Sequence, residues 1–274
     1  MPGDRRSFAP RGSLRAPLYR VLLASAEGLF KAGNGCLLFA AGLLRREELQ
    51  AASVDQYRRF NVSAVDVDAG LSPAELDFYG RFVRAHSRVL LAGCGTGRDL
   101  IGLQLMGHDV TGLEPVPEVV QLARGHLERR GITASVELGL IERSQLRDRY
   151  DAVIFSNGCY SLLQSSLLRV ETLRRIAGHL APGGRVIVSY HPARGQSRIG
   201  RWLTRTAARL AASDWIPEKG DTFSRDLYVA GLIRYHHAFA PGEFASECEA
   251  AGLTVLADEP YGEGYVFAAA ERRG

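Results

Sequence analysis

The chain has 274 residues, of which 46% are hydrophobic and 23% charged, and its formal net charge is +4 at pH 7. This composition is that of an ordinary globular protein and excludes a disordered chain, while so small a charge says little about nucleic acid. The four cysteines have no C-x-x-C spacing, so no zinc ribbon, redox motif or other metal site is predicted. They are compatible with a reduced, cytoplasmic setting.

The N-terminal region predicts a tail followed by a helical cap. Residues 1–13 are rich in Arg, Pro and Gly and are predicted to be disordered. Residues 14–60 are predicted to be helical, with a break at Asn34–Gly35. The longest uncharged run there, Ala32 to Leu44, has 13 residues, whereas a spanning helix needs about 20. We therefore expect no transmembrane segment and no cleaved signal.

Strands and helices alternate from residue 72 onward. Ser72 as cap, Pro73 at the first helical position and Glu75 in the capping-box position predict a helix to about Ala85. The predicted strands are 88–92, 108–114, 133–138, 150–156, 185–190 (after a Pro182–Gly184 turn), 253–258 and 265–270. A break in this rhythm of about fifty residues follows the fifth strand, and a helix is predicted at 241–251.

This alternation is typical of a parallel sheet with helices on both faces. The linker between the last two strands has six residues, too few for a helical crossover, so these strands should pair antiparallel. The predicted fold is α/β: a doubly wound, seven-stranded, mostly parallel sheet with an antiparallel last strand. A helical cap (14–86) precedes the main domain (87–274), which carries a helical insert after the fifth strand (194–232).

The stretch "VLLAGCGTGRDL", from Val89 to Leu100, predicts a nucleotide site at the end of the first strand. Its spacing is G-x-G-x-G, which differs from the dinucleotide fingerprint G-x-G-x-x-G and from the phosphate loop. Glu114 ends the second strand, 17 residues after Gly97. A carboxylate there can accept hydrogen bonds from both ribose hydroxyls. The pattern therefore indicates a ribose-containing ligand without a strong requirement for phosphate.

Five segments together resemble the class I S-adenosylmethionine-dependent methyltransferases, over about Val89 to Ala270. They are "VLLAGCGTG", "VTGLEP", "YDAVIFSNGCYSLL", "LRRIAGHLAPGGRVIVSYH" and "YHHAFAPGEFASECEAAGL", in the family's order. The resemblance implies a methyltransferase with S-adenosyl-L-methionine as cofactor and a small-molecule substrate. It implies that the cofactor is held by Gly93, Cys94, Gly95, Gly97, Glu114, Pro115, Leu140, Ile141, Ser156 and Asn157.

The chain departs from the family's pattern at both ends of the expected cofactor. Leu91 stands where the family usually has an acidic residue, so Arg98, Asp99 or the loop backbone would have to hold the methionine end. After the third strand, only Glu142 could replace the Asp that often binds the adenine. Leu140 and Ile141 would otherwise pack on the adenine ring.

The candidate catalytic residues follow the fourth and fifth strands. His191 could act as a base toward a hydroxyl, or only bond the backbone at the strand end. Tyr160, with Tyr190, would face the substrate. His236 and His237 are expected to be structural or rim residues, and Tyr57 could fold over the cofactor. No Asn-Pro-Pro-Tyr or Asp-Pro-Pro-Tyr motif is present, which disfavours methylation of nucleic-acid bases.

The insert contains an arginine stripe. On a helical projection Arg194, Arg198, Arg201, Arg205 and Arg209 fall within about 80°. Ile199, Leu203 and Leu210 lie on another face, with Trp202 near the border. The helix could be a lid for an acidic substrate, a solvated face or a contact to anionic lipid, with nucleic acid disfavoured for want of interleaved aromatics. With the apolar "CLLFAAGLL", it allows a peripheral membrane contact.

The sequence thus predicts methyl transfer to an oxygen or nitrogen of a small or medium-sized metabolite, which could be lipid-like or acidic. One alternative is a catalytically silent cofactor-binding scaffold, which Leu91 keeps open. A second is an NAD(P)-dependent reductase, against which the glycine spacing and the absence of a Tyr-x-x-x-Lys pair argue. The oligomeric state and the acceptor are left open.

Overall fold

The computed structural model describes residues 15–64, 66–147, 149–193, 195, 198–225, 233–261 and 264–273. The predicted tail and Arg194 lie outside them. The helices are Arg15–Leu43 (α1), Arg46–Ala64 (α2), Pro73–Phe82 (α3), Arg98–Leu105 (α4), Pro117–Arg129 (α5), Ser166–Gly178 (α6), Arg198–Leu210 (α7) and Glu243–Ala250 (α8). The strands are Arg88–Ala92 (β1), Asp109–Glu114 (β2), Ser135–Leu138 (β3), Tyr150–Phe155 (β4), Leu180–Pro192 (β5), Asp221–Arg225 (β6), Ile233–Phe239 (β7), Leu253–Tyr261 (β8) and Tyr265–Arg272 (β9).

The central sheet confirms the predicted α/β fold. Strands β3, β2, β1, β4 and β5 lie side by side in that order and are parallel. Strand β9 pairs antiparallel with β5 and with β8, as the short linker required. Since parallel strands end at the same edge, the loops after β1, β2 and β4 meet there.

Alternate side chains of each strand enter the cores on the two faces of the sheet. In β1, Leu90 and Ala92 belong to one buried cluster, and Val89 and Leu91 belong to the other. Both faces are therefore covered by helices, which explains why β1 is an unbroken apolar run. Leu91 has no exposed surface and packs in the second cluster, so it does not reach the edge where the loops meet.

Two further strands correct the predicted count of seven. β6 and β7 pair antiparallel, and β7 adds to the end of β5 through His191↔Ala238 and Pro192↔Phe239. They are accommodated because β9 covers β5 only from Arg185 to Tyr190, leaving the last residues of β5 without that partner. The predicted Pro182–Gly184 turn is also wrong, since these residues form an irregularity inside β5 at which the pairing with β4 shifts register.

The N-terminal helices differ from the prediction at one point. α1 runs through Asn34–Gly35 without a break, and the chain turns at Leu44 instead. Gly35 and Gly42 face α7, where a Cβ on Gly42 would overlap the backbone of Thr204. Gly42 thus allows close helix packing, which explains its presence inside a helix. The capping box of α3 is confirmed: Glu75 N donates to Ser72 Oγ (3.3 Å) and Ser72 N to Glu75 Oε2 (2.7 Å).

A third buried cluster joins the N-terminal helices to the insert. It contains Ala41 and Leu49 from the helices with Trp215, Phe223 and Tyr235 from the insert and β7. The boundaries predicted for the cap and insert stay predictions. Among the described residues, none of the helices has the length and apolar content needed to cross a membrane.

Candidate functional site

A cavity of about 370 Å³ lies at the edge of the sheet where β1, β2 and β4 end. Its floor is formed by the glycine loop and the loops after β2 and β4, and α2 covers it from above. The lining residues that the sequence predicted are Gly93, Cys94, Gly95, Glu114, Pro115, Leu140, Ile141, Ser156 and Asn157. Gly97 does not line the cavity: it precedes α4 with φ 101° and faces Ala123.

Two glycines of the loop sit where a side chain would close the cavity. Gly93 and Gly95 both have positive φ values, 71° and 54°. A Cβ on Gly95 would lie 2.6 Å from Oδ1 of Asn61, and one on Gly93 would overlap Sγ of Cys159. The loop therefore needs glycine both for its conformation and to let a ligand approach its backbone.

Glu114 is held at the end of β2 by backbone amides. Its Oε2 accepts from Gly95 N at 3.1 Å and its Oε1 accepts from Val116 N at 3.2 Å. Burial raises the pKa of its carboxyl to about 7, although both amides oppose this. Each oxygen has a second lone pair, so the carboxylate can still accept hydrogen bonds from a ligand in the cavity.

A second carboxylate in the cavity comes from the first turn of α4. Asp99 lines the cavity, accepts from Ser156 Oγ at 2.5 Å and pairs with Arg98. Arg98 in turn pairs with Glu75 at 2.6 Å. Burial raises the pKa of Asp99 and the charge of Arg98 opposes this. Asp99 thus supplies a buried carboxylate at the start of α4, next to the glycine loop. Leu91, at the position where an acidic residue was expected, supplies none.

Helix α2 contributes residues that sequence reasoning largely missed. Gln50, Val54, Tyr57 and Asn61 line the cavity from one face of the helix, at spacings of three and four. That spacing was a usable signal, because it is the period of a helix face in contact with something. Tyr57, considered only as a candidate, is one of these lining residues.

The adenine side of the cavity combines apolar and polar groups. Leu140 and Ile141 line it, as expected for packing against a flat ring. Glu142 also lines it, and its Oε1 accepts from Nε2 of Gln50 at 2.7 Å. A buried carboxylate on β2, an acidic group near the loop and apolar side chains after β3 provide two hydrogen-bond acceptors and an apolar surface, which fit an adenosyl amino-acid ligand.

Tyr160 does not face the cavity, which corrects its predicted role. Its side chain has no exposed surface, and its hydroxyl donates to Oε2 of Glu247 at 2.7 Å. Tyr190 is similarly buried and donates to Oδ1 of Asp258 at 2.5 Å. Both rings pack around Phe239 and Phe244, so the aromatic residues after β4 and β5 build core instead of a substrate surface.

His237 belongs to a buried ionic network. Its Nδ1 lies 2.8 Å from Oδ1 of Asp221 and its Nε2 lies 2.9 Å from Oε1 of Glu243. Burial lowers the pKa of His237, but these two hydrogen bonds outweigh it and the pKa lies above its usual value. Arg169, fully buried, pairs with Glu247 at 2.7 Å in the same network. The expected structural role of His237 agrees with these contacts.

His191 and His236 form the pair that the sequence did not predict. Their ring centroids are 5.0 Å apart, and the ring of Tyr265 lies 4.5 Å from that of His191. Nδ1 of His191 lies 3.2 Å from the carbonyl oxygen of Gly264. A Cβ on Gly158 would be 3.6 Å from Nε2 of His191, and Gly158 stands between the lining residues Asn157 and Cys159. His191 therefore lies behind the cavity wall at Gly158.

The imidazole of His236 is held in its neutral form. Burial, together with the charges of His191 and Arg234, lowers its pKa to about 4. Its Nδ1 is buried without a hydrogen-bond partner among the described residues. At neutral pH this imidazole is therefore uncharged.

Part of the sequence is similar to known proteins. Residues 89–184 match the family model described as a methyltransferase domain. Ubiquinone biosynthesis O-methyltransferase of Xanthomonas axonopodis pv. citri is 27% identical over 186 residues, covering 67% of this chain and 70% of that protein. Its counterpart in Xanthomonas oryzae pv. oryzae is 30% identical over 183 residues, covering 64% and 66%.

Solved structures share the fold. The 1,6-didemethyltoxoflavin-N1-methyltransferase of Burkholderia thailandensis, solved with bound 1,6-didemethyltoxoflavin and S-adenosylhomocysteine, superposes with a TM-score of 0.60 at 20% identity. The alignment covers 84% of this chain and 92% of that one. Fold, glycine loop and matched methyltransferase domain agree: the chain is an S-adenosylmethionine-dependent methyltransferase with the class I fold, and its cofactor is S-adenosylmethionine.

Proposed function

We propose that this enzyme methylates a hydroxyl oxygen of a small or medium-sized acidic metabolite, with His191 as the general base. The observation that carries the proposal is the hydrogen bond between Nδ1 of His191 and the carbonyl of Gly264. A carbonyl oxygen can only accept, so Nδ1 carries the hydrogen and, in the neutral ring, the lone pair is on Nε2. Nε2 is the nitrogen on the side of Gly158 and the cavity.

The cofactor would be held by the residues that line the cavity. Glu114 would accept from the ribose hydroxyls, Leu140 and Ile141 would pack on the adenine, and Asp99 would bind the amino group of the methionine end. Tyr57 and Asn61 of α2 would cover the cofactor and exclude water. When bound, S-adenosylmethionine supplies a methyl group already activated by its sulfonium.

The remaining work for the protein is to orient the acceptor and remove its proton. His191 would take the hydroxyl proton on Nε2, while the bond to Gly264 keeps the ring in the required tautomer. Gly158 has no side chain, so no side chain at this position separates the lining residues Asn157 and Cys159 from Nε2 of His191. A general base of this kind contributes roughly 10²–10⁴-fold to a rate.

The surroundings of His191 favour an acidic hydroxyl, such as a phenol or an enol. Arg234 lies on the same strand as His236, and its positive charge acts on both Tyr57 and Tyr265. Burial nevertheless raises the pKa of both tyrosines, so they remain protonated hydrogen-bond donors. One cation, two phenol donors and a neutral imidazole together stabilise an oxyanion that forms as the proton leaves.

The similarity to ubiquinone biosynthesis O-methyltransferases supports oxygen, and not nitrogen, as the methylated atom. The test is a screen of hydroxyl, carboxyl and amine compounds with S-adenosylmethionine, followed by mass spectrometry of the methylated products. We expect products from phenols or enols and a loss of their formation in His191→Ala. Methylation of amines alone, or an unchanged rate in His191→Ala, would contradict the proposal.

Binding of the cofactor is tested separately by calorimetry with S-adenosylhomocysteine and NADH. We expect S-adenosylhomocysteine to bind to the wild type and to His191→Ala with equal affinity, because His191 lies behind the cavity wall. If S-adenosylhomocysteine binds and none of the hydroxyl compounds reacts, the acceptor class is wrong while the cofactor site stands.

A further inference from the structure

The first half of α1 exposes large apolar side chains to solvent. From residue 17 to residue 34, every residue of the helix is exposed. The exposed fractions reach 75% for Leu29, 79% for Phe30 and 64% for Tyr19. A helix of this kind gains no tertiary packing in water, which is where most helix stability comes from. We therefore expect the exposed part of α1 to be covered by a partner.

The exposed half of α1 is amphipathic. On a helical projection Arg20, Glu27 and Lys31 fall within roughly 40° of each other. The large apolar residues occupy a broad arc on the other side: Leu18, Tyr19, Val21, Leu22, Leu23, Leu29 and Phe30. A wide apolar face beside a narrow charged stripe is typical of a helix lying in the plane of a membrane interface.

Helix α7 packs in a way that leaves its apolar stripe exposed. Its buried residues are the small ones, Gly200, Thr204, Ala207 and Ala208, which contact α1. Of the predicted apolar face, only Leu203 is half-buried and lies against Gly35 of α1, whereas Ile199 is 72% exposed and Leu210 74%, with Trp202 at the border 63% exposed. In the part of the chain that the structure describes, no residue of α7 is among those that line the cavity.

Arginines flank this exposed stripe on α7. Arg198 and Arg209 are exposed, and Arg201 and Arg205 are half-buried on the same side of the helix. α7 contains no acidic residue, and Glu27 is the only one in residues 17–43. The segments that follow the two helices are also hydrogen-bonded to each other, since Nε1 of Trp215 donates to the carbonyl of Leu44 at 2.8 Å. The exposed residues of α1 and α7 thus belong to one packed pair.

We propose that this α1–α7 surface, formed by the exposed apolar residues of α1 with Ile199, Trp202, Leu210, Arg198 and Arg209, docks on an anionic phospholipid bilayer. The apolar side chains enter the interface and the arginines bind lipid phosphates. A second copy of the chain is a poorer occupant, because a two-fold contact brings the same basic residues together.

Vesicle flotation and tryptophan fluorescence of the full chain test the docking. We expect co-flotation with vesicles of phosphatidylglycerol and phosphatidylcholine, and much less with phosphatidylcholine alone or at high salt. The chain has two tryptophans, and Trp215 is already buried. Vesicles should therefore shift the emission to shorter wavelength through Trp202, and Trp202→Phe should remove the shift.

Two pairs of variants separate the electrostatic and apolar contributions. R198Q/R209Q should weaken binding to the anionic vesicles by about 30-fold, the effect expected of two basic residues near such a surface. L22S/F30S should weaken it on both vesicle types. The matched controls are R129Q/R147Q and L105S/L167S, exposed residues on other parts of the molecule, which should bind as the wild type does. Thermal unfolding of each variant checks that the fold is kept.

Three results would overturn the proposal. The first is a wild-type chain that does not float with phosphatidylglycerol vesicles. The second is a loss of binding in the control variants as large as that in the α1 and α7 variants. The third is a stable dimer in sedimentation equilibrium that L22S/F30S dissociates, without vesicle binding, which would make a second copy the occupant. None of these readouts depends on the identity of the methyl acceptor.

Discussion

On one side of the cavity the glycine loop and Glu114 come from two consecutive strands, whereas on the other side His191, His236 and Tyr265 come from β5, β7 and β9. The first set is connected through the backbone, since Gly95 N donates to Glu114. The second set is held by side-chain contacts and by Gly264, which precedes β9.

This difference separates what the family shares from what this chain adds. The cofactor side needs a few residue types at short spacing, so it can be recognised in a chain of low identity. The side of His191 depends on how β7 adds to the end of β5 and on where β9 begins, so its residues have no common local motif. If the two sides are independent, a variant on the side of His191 should leave cofactor affinity unchanged, and a variant of Glu114 should change it.

The largest effect is expected for His191→Ala. We expect kcat to fall roughly 10²–10⁴-fold, because the general base is lost, while the affinity for S-adenosylhomocysteine is unchanged. The measurements are steady-state kinetics with the methyl acceptor and calorimetry. His86→Ala is the matched control, since Nδ1 of His86 also lies near a glycine carbonyl, that of Gly107, at 3.3 Å on the surface. A parallel loss of cofactor affinity would show that the two sides are coupled.

Arg169→Met should have the next largest effect, on stability. Arg169 is fully buried, with Nε 2.7 Å from Oε1 of Glu247 and its guanidinium over the ring of Phe239. Removing it leaves a buried carboxylate without its partner, which costs about 3–5 kcal/mol of unfolding free energy. Thermal unfolding should show a midpoint lower by roughly 10 °C.

The control for this variant is Arg174→Met on the same helix. Arg174 is exposed and only donates to the carbonyl of Ala250 at 2.8 Å, so its loss should change the midpoint little. Below the unfolding transition, Arg169→Met should still bind S-adenosylhomocysteine, because its network supports the β7 and α8 side. A midpoint like that of the wild type would mean that the network is not stabilising.

Glu114→Ala tests the cofactor side. The loss of hydrogen bonds to a charged group should weaken binding of S-adenosylhomocysteine by about 1.5–3 kcal/mol, as measured by calorimetry. Glu137→Ala, an exposed glutamate on the neighbouring β3, is the control and should bind normally. Unchanged affinity in Glu114→Ala would mean that the ribose lies elsewhere.

The smallest effect is a pH dependence of the same binding step. Burial raises the pKa of Glu114 to about 7, so the free enzyme carries a mixture of neutral and ionised carboxyl at neutral pH. The ionised form is the better acceptor for ribose hydroxyls. Affinity should therefore rise with pH through about 7 and level off above it, and fall by at most about tenfold per unit below it. Glu114→Gln should remove this dependence, and a pH-independent wild type would contradict it.

Much of the fold follows from local pattern. The alternation of apolar runs, glycines and helix starts was enough to locate β1, β2, β4 and the last hairpin, and Ser72 to Glu75 located a helix start. The extra strands β6 and β7 were missed because β7 reads as the two-histidine segment before α8, and its pairing partner is the distant end of β5. Asn34–Gly35 predicts a break that α1 does not have, because the packing of α7 against α1, which uses small residues, is not visible in either segment alone.

The sequence by itself determined the mostly parallel sheet with its antiparallel last strand, the glycine loop, Glu114 and the cofactor class, because these depend on residues close together in the chain. Only the tertiary structure decided that Tyr160 is core, that Asp99 supplies a carboxylate near the loop where Leu91 cannot, and that His191 pairs with His236. It also decided which face of α7 is buried. The physical reason is that burial and pairing depend on neighbours brought from other elements, and a side chain's own type does not specify them.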